Sequence, residues 1–224
     1  MTWRLLMRRC PTKSMTVVGD VDQTSTAAGA ASWAQMLDPF VEGRWRMERL
    51  TVNYRTPREV MDLAAAVLTA SGAETHVPTS VRDATCPPRA VRATDDVDSA
   101  EGLRTVTTTT LDEVEAVSGG TLAVVTARRH RDVVARAVAD ALADAGHDVD
   151  VDDEDSAVRV LDVAAVKGLE FDGVVLVEPA AVVAESPKGV NDLYVALTRP
   201  TQRLAVVHAA ELPAGFAALE QPGA

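Results

Sequence analysis

Aromatic side chains, cysteines and basic charge are all scarce in this chain, and each shortage excludes something. Aromatics make up 4% of the 224 residues, which leaves few platforms on which nucleic-acid bases could stack. The cysteines are Cys10 and Cys86 alone, far apart and outside any C-x-x-C pair. A disulfide framework is thereby excluded, a zinc site is disfavoured, and a reduced cytoplasmic protein with inert thiols is expected. The histidines His76, His130, His147 and His208 are scattered without ligand spacing. No apolar stretch approaches the roughly 20 residues that span a bilayer. The amino-terminal stretch Met1–Arg9 is too short and arginine-interrupted for a secretory signal. The formal net charge is −11. Free nucleic-acid binders draw affinity from neutralised phosphates and are basic, so a strand contact here is expected only as a local groove inside a larger assembly.

Phosphate-binding chemistry of the commonest kind is absent too. A loop of the form G-x-x-x-x-G-K-[S/T], whose amides cradle phosphates and whose lysine reaches the outer ones, does not occur. Nor does an apolar strand end in Asp-Glu to hold magnesium. The acidic run Asp152–Asp155 follows the alternation Asp148-Val149-Asp150-Val151 and reads as a solvated loop.

What is present fits an α/β domain. With 47% hydrophobic and 25% charged residues, the chain can bury one substantial core and a small extra piece. Residues 1–45 read as helix, strand (Ser14–Val18) and short helix, and a strand over Trp45–Val52 leads into Asn53-Tyr54-Arg55. Thr56 reads as an N-cap, with Pro57 at the first helical position and Glu59 completing a capping box, for a helix through Leu68. Residues 71–105 form an irregular excursion with one strand near Ala90–Arg92. A helix over Leu111–Val117 stops at Gly119-Gly120, and Thr121–Thr126 is a buried strand. A helix over Arg129–Ala145 presents Val133, Ala137, Val138, Ala141 and Leu142 on one face. Strands at Val158–Val163, Val174–Val177 and Leu204–Val207 complete the set. Strands alternating with helices imply a mostly parallel, doubly wound sheet.

The most informative stretch lies near the end. Lys167–Asp172 is a loop with a cation, a glycine and two carboxylates, feeding the apolar run Gly173–Val177. Further on, Tyr194, Leu197 and Thr198 stand at helical spacing, and Arg199 leaves the last turn before Pro200. An arginine fixed there is costly to bury unless it meets an anion, so the two elements suggest a phosphate-sensing face.

The wording of these blocks resembles that of the UvrD/Rep-type superfamily 1 helicases. KGLEFD at Lys167–Asp172 and LYVALTR at Leu193–Arg199 resemble motifs V and VI. Val17–Gln23 resembles motif III and Leu50–Arg55 motif IV, so the motifs stand in family order over nearly the whole chain. Trp3–Pro11 and Glu211–Pro213 are most similar to the HelD branch, whose members are RNA-polymerase-associated ATPases. The resemblance implies a RecA-like (P-loop NTPase-type) parallel sheet with helices on both faces, the second motor lobe, over residues 46–224. Residues 1–45 would be a remnant of the first lobe carrying the motif III strand. The chain would be the C-terminal part of a longer ATPase, or a truncated product, that shares ATP and Mg²⁺ with a first RecA-like lobe supplied in cis or in trans.

The resemblance also implies roles. Arg55 and Arg199 would be aimed at the γ-phosphate, and Gln23 would sense it, with Asp20 fixing the turn before it. Tyr54 would stack on the nucleotide base, Gly168 would let the backbone approach, and Glu170 would contact the sugar. Blander readings stay open: arginines bonding helix carbonyls, Tyr54 packing over a helix start, Lys167 pairing with Glu170 across its loop, Asp172 forming a turn. The strand-gripping residues of the translocating helicases are replaced by Thr24–Ala30 beside Trp33, by Ala164 and by Arg199-Pro200. That pattern favours a nucleotide-driven remodeller over a processive unwinder. Hydrolysis by the chain alone is not expected, and single-strand binding is doubtful. A non-catalytic module docking on RNA polymerase is the competing reading.

Overall fold

The structure is a computed structural model that describes residues 2–21, 23, 32–72, 77–84, 86–217 and 219. Its first elements are α1 (Thr2–Arg9), α2 (Trp33–Val41), β1 (Val52–Asn53), α3 (Arg58–Ala70), β2 (Thr79–Ser80) and β3 (Arg89–Arg92). There follow α4 (Ala100–Val117), β4 (Leu122–Thr126), α5 (Arg128–Asp144), β5 (Val158–Asp162), α6 (Val163–Val166) and β6 (Phe171–Val177). The last are α7 (Pro179–Glu185), α8 (Gly189–Leu197) and β7 (Pro200–His208).

The valine-rich runs form one five-stranded sheet of order β3-β7-β6-β4-β5, parallel throughout. Both faces are covered, which is why β4 is buried at every position rather than alternating. Alternate residues serve opposite layers. Ala123, Val125, Val174, Leu176, Leu204 and Val206 pack against α3, α6, α7 and α8. Leu122, Val124, Val175, Val177, Ala205 and Val207 pack against α4 and α5. From β4 the chain passes through α5 to β5 on one side; it then returns to β6 on the other and moves on to β7. The direction of winding therefore reverses between β4 and β6. Among the described residues no helix is long and apolar enough to cross a membrane.

Several expectations are corrected. Ser14–Val18 forms no strand: the segment has no regular secondary structure, and Val18 is 85% exposed. An isolated strand leaves its backbone groups unpaired, so an apolar run alone does not make one. Of Trp45–Val52 only Val52 joins a strand, with Asn53, in the two-stranded parallel pair β1-β2. Thr56 and Glu59 do not cap α3, which begins after Pro57 without a side-chain cap; Glu59 instead accepts the Ala84 N–H at 2.7 Å. The excursion over 71–105 carries β2 as well as β3 and already contains the start of α4. That helix takes in Thr107–Thr110, with the Thr110 hydroxyl bonded back to the Val106 carbonyl at 2.8 Å. On α5 the buried face is His130, Val134, Ala135, Val138 and Leu142, rotated from the expected one.

Candidate functional site

Three segments distant in sequence converge at the edge of the sheet where β6 and β7 begin. The first is the turn after β1. Asn53 Oδ1 accepts the backbone N–H groups of Arg55 (2.8 Å) and Thr56 (3.3 Å), an Asx turn that fixes the Arg55 backbone ahead of α3. The second is the Lys167–Glu170 loop. Gly168 sits there at φ +85°, a left-handed conformation, and a Cβ would meet nothing within 4 Å. Glycine is needed for its backbone angle, and the space before it is open. The third is the end of α8, where Thr198 closes the helix by donating to the Tyr194 carbonyl at 3.0 Å.

Arg199 follows, and it is 4% exposed. Its Nε donates to the Val195 carbonyl at 2.9 Å, Nη1 to the Leu169 carbonyl at 3.2 Å and Nη2 to the Thr198 hydroxyl at 3.0 Å. The guanidinium thus fastens the C-terminal end of α8 to the Lys167–Glu170 loop, where a helix favours positive charge. Burial, and then the nearby Arg55 charge, push the Arg199 pKa down from the ordinary arginine value, while Glu170, Tyr194 and Asp20 oppose the shift. Arg55 Nη2 lies 2.6 Å from Glu170 Oε1, both side chains being about half exposed. Two guanidiniums and one carboxylate therefore share one edge.

Gln23 reaches this edge by its backbone: Lys167 Nζ donates to the Gln23 carbonyl at 2.5 Å. The Gln23 amide is turned back, donating to Asp20 Oδ2 at 3.0 Å. Lys167 and Glu170 do not pair with each other but with Gln23 and Arg55. Tyr54 is 71% exposed beside Arg55 rather than packed over the start of α3. Ala164 is exposed on α6, whereas the stretch Thr24–Ala30 lies outside the described residues, as does His76.

Asp172 is not a turn former. It lies within β6, and its carboxylate accepts the Thr121 N–H at 2.8 Å and the Gln202 amide at 2.7 Å, tying the starts of β4, β6 and β7 together. The Thr121 N–H bond holds its carboxyl below the usual range; partial burial opposes, and the Gln202, Thr121 and Thr201 side chains help. Among the described residues no group of three or more His, Cys, Asp or Glu side chains could hold a metal ion.

The profile of the UvrD-like helicase C-terminal domain family matches residues 157–207, the stretch from β5 to β7 that includes Lys167, Gly168, Glu170 and Arg199. Among solved structures, the C-terminal domain of a possible DNA helicase from Lactobacillus plantarum WCFS1 superposes with a TM-score of 0.50 at 16% identity. That superposition covers 75% of this chain and 94% of the other. No curated protein matches. The chain therefore has an α/β fold of helicase C-terminal domain type, with the UvrD-like signature over its last three sheet strands in sequence.

Proposed function

We propose that this chain is the second motor lobe of a superfamily 1 helicase-type ATPase and completes an ATP site whose P-loop and magnesium ligands belong to another RecA-like lobe. The observation that carries the reading is the meeting of Arg55, Glu170 and Arg199 at one sheet edge. Two guanidiniums close enough for one to disfavour the other's charge are a donor set suited to a polyanion, and phosphoryl transfer depends on positioning and charge neutralisation.

In this reading Glu170 holds Arg55 beside Arg199 until polyphosphate takes its place, which frees the carboxylate for the nucleotide sugar. Arg199 serves through a frame already fixed by Val195, Leu169 and Thr198. Gly168 leaves the backbone approachable, Tyr54 offers a ring to the base, and Gln23 couples the site to the amino-terminal segment through Lys167. ATP with Mg²⁺ would supply the scissile phosphoanhydride and the metal charge, and this lobe would contribute arginines. The segment carrying Gln23 and Arg55 also exposes Val18, Leu50 and Tyr54, an apolar surface suited to a neighbouring lobe in cis or in trans. The HelD-like wording of Trp3–Pro11 supports RNA polymerase as a further partner, with the cytoplasm as the setting.

Steady-state phosphate release tests the reading. The chain alone should give no turnover, with or without single-stranded DNA, and adding a P-loop lobe should restore it. Hydrolysis near 1 s⁻¹ that copurifies with the chain alone would refute it.

A further inference from the structure

Apart from the main sheet, β1 and β2 form a parallel pair of two residues each. So short a pair is not stable by itself, and its bonds run into the turn that carries Arg55. The Thr79 N–H donates to the Thr51 carbonyl at 2.9 Å, the Val81 N–H to the Asn53 carbonyl at 3.1 Å, and the Arg58 N–H to the Arg82 carbonyl at 2.7 Å. The segment Thr79–Arg82 thus follows the turn from its entry at Thr51 to the first residue of α3.

Two side chains of this segment close the turn. Ser80 is 4% exposed, and its Oγ donates to the Thr56 carbonyl at 2.5 Å while accepting the Arg82 N–H at 3.3 Å. Arg82 is exposed, and its Nη1 donates to the Arg55 carbonyl at 3.3 Å. The N–H groups of Arg55 and Thr56 go to Asn53 Oδ1. Every backbone polar group of Arg55 and Thr56 is therefore engaged by a side chain, although the turn lies outside any helix and outside the main sheet. The Arg55 side chain is held differently, by the half-exposed carboxylate of Glu170, which a competing anion can replace. A fixed backbone beneath an exchangeable side chain is the arrangement of a preorganised ligand, for which a displacement of about 1 Å already weakens binding.

We infer that Ser80 and Arg82 are positioning residues for Arg55, fixing the point from which its guanidinium reaches polyphosphate. The inference rests on the reading of Arg55 and Arg199 as a polyphosphate-facing edge. Ser80 carries more of the role, because its bond to Thr56 is short and buried, where water cannot take its place. The Arg82 bond is longer and faces solvent, so it steadies the Arg55 carbonyl without sealing it.

Backbone and arginine Nε ¹H–¹⁵N spectra of the full chain, titrated with ATP and Mg²⁺, test it. Ser80→Ala, which changes no charge, should lower the backbone order parameter of Arg55 from about 0.85 to below about 0.6. It should also raise the half-saturating ATP concentration read at Arg199 about fivefold. Arg82→Met should do both and serves if the serine variant does not fold. Arg82→Lys, whose ammonium still offers one donor to one carbonyl, should stay within about twofold of the parent. Thr110→Val deletes another buried hydroxyl bond, in α4, and should leave both readouts in place. Undiminished affinity in folded Ser80→Ala and Arg82→Met, or an equal loss in Thr110→Val, would overturn the positioning role while leaving the polyphosphate edge standing. A parent chain without saturable shifts at Arg55 and Arg199 would overturn the polyphosphate edge itself, and this inference with it.

Discussion

Arg55 and Glu170 form an ion pair with 2.6 Å between Nη2 and Oε1, joining the turn before α3 to the loop before β6. Both side chains are about half exposed, and such pairs contribute about 1 kcal/mol or less. Arg55→Ala and Glu170→Ala should each lower unfolding stability in urea by no more than that. A loss of several kcal/mol in either variant would make the pair a structural clamp rather than a replaceable contact.

Arg199 should behave differently. Its buried guanidinium satisfies two carbonyls and a hydroxyl, so Arg199→Ala should destabilise the fold by about 1–3 kcal/mol. Activity tests at this position therefore need Arg199→Lys beside it. In a pair reconstituted with a P-loop lobe, Arg199→Lys and Arg55→Ala should each lower kcat by on the order of 10³. An unchanged kcat in a folded variant would remove that arginine from the site.

Asp172 sets a pH dependence. Its carboxyl is held below the usual range chiefly by the Thr121 N–H. The stability it adds is present above the unfolded carboxylate value, about 3.9, and is lost as pH falls through the lower folded value. The stability gap between the parent and Asp172→Asn, about 1 kcal/mol, should be constant near neutrality and shrink below about pH 4. Denaturant midpoints measured across pH check this; a gap that widens in acid would contradict it.

Glu113 is 1% exposed and receives Arg203 at 2.7 Å and Arg89 at 2.9 Å. Its partners are partly exposed, Arg89 by 37% and Arg203 by 21%, and can rehydrate in part, so Glu113→Ala should cost about 1–3 kcal/mol. Thermal and urea unfolding measure it, and a cost under about 1 kcal/mol would show the arginines to be rehydrated.

The sheet was legible because β4, β6 and β7 are short β-branched runs buried on both faces, a pattern that few other elements produce. The expected helix over Leu111–Val117 is too short: α4 begins at Ala100 and takes in Thr107–Thr110 although β-branched residues resist helix, because Thr109 and Thr110 are buried there and the Thr110 hydroxyl bonds the preceding turn. Ser14–Val18 has a strand's composition but no partner strand, and pairing is not written in local sequence. At the site, Arg199 stood out through the proline stop at Pro200, and Arg55 only through the resemblance of Leu50–Arg55 to motif IV. The links of Arg55 to Glu170, Lys167 to Gln23 and Asp172 to Thr121 are non-local and had no sequence signal.

The central claim is that Arg55 and Arg199 face polyphosphate from this lobe, and arginine side-chain Nε spectra of the chain titrated with ATP and Mg²⁺ test it most directly. The account predicts saturable shifts at Arg55 and Arg199 that Glu170→Gln strengthens, with the exposed Arg104 unmoved. Arg55 and Arg199 resonances that stay fixed, or shift no more than Arg104, in a folded protein would contradict it.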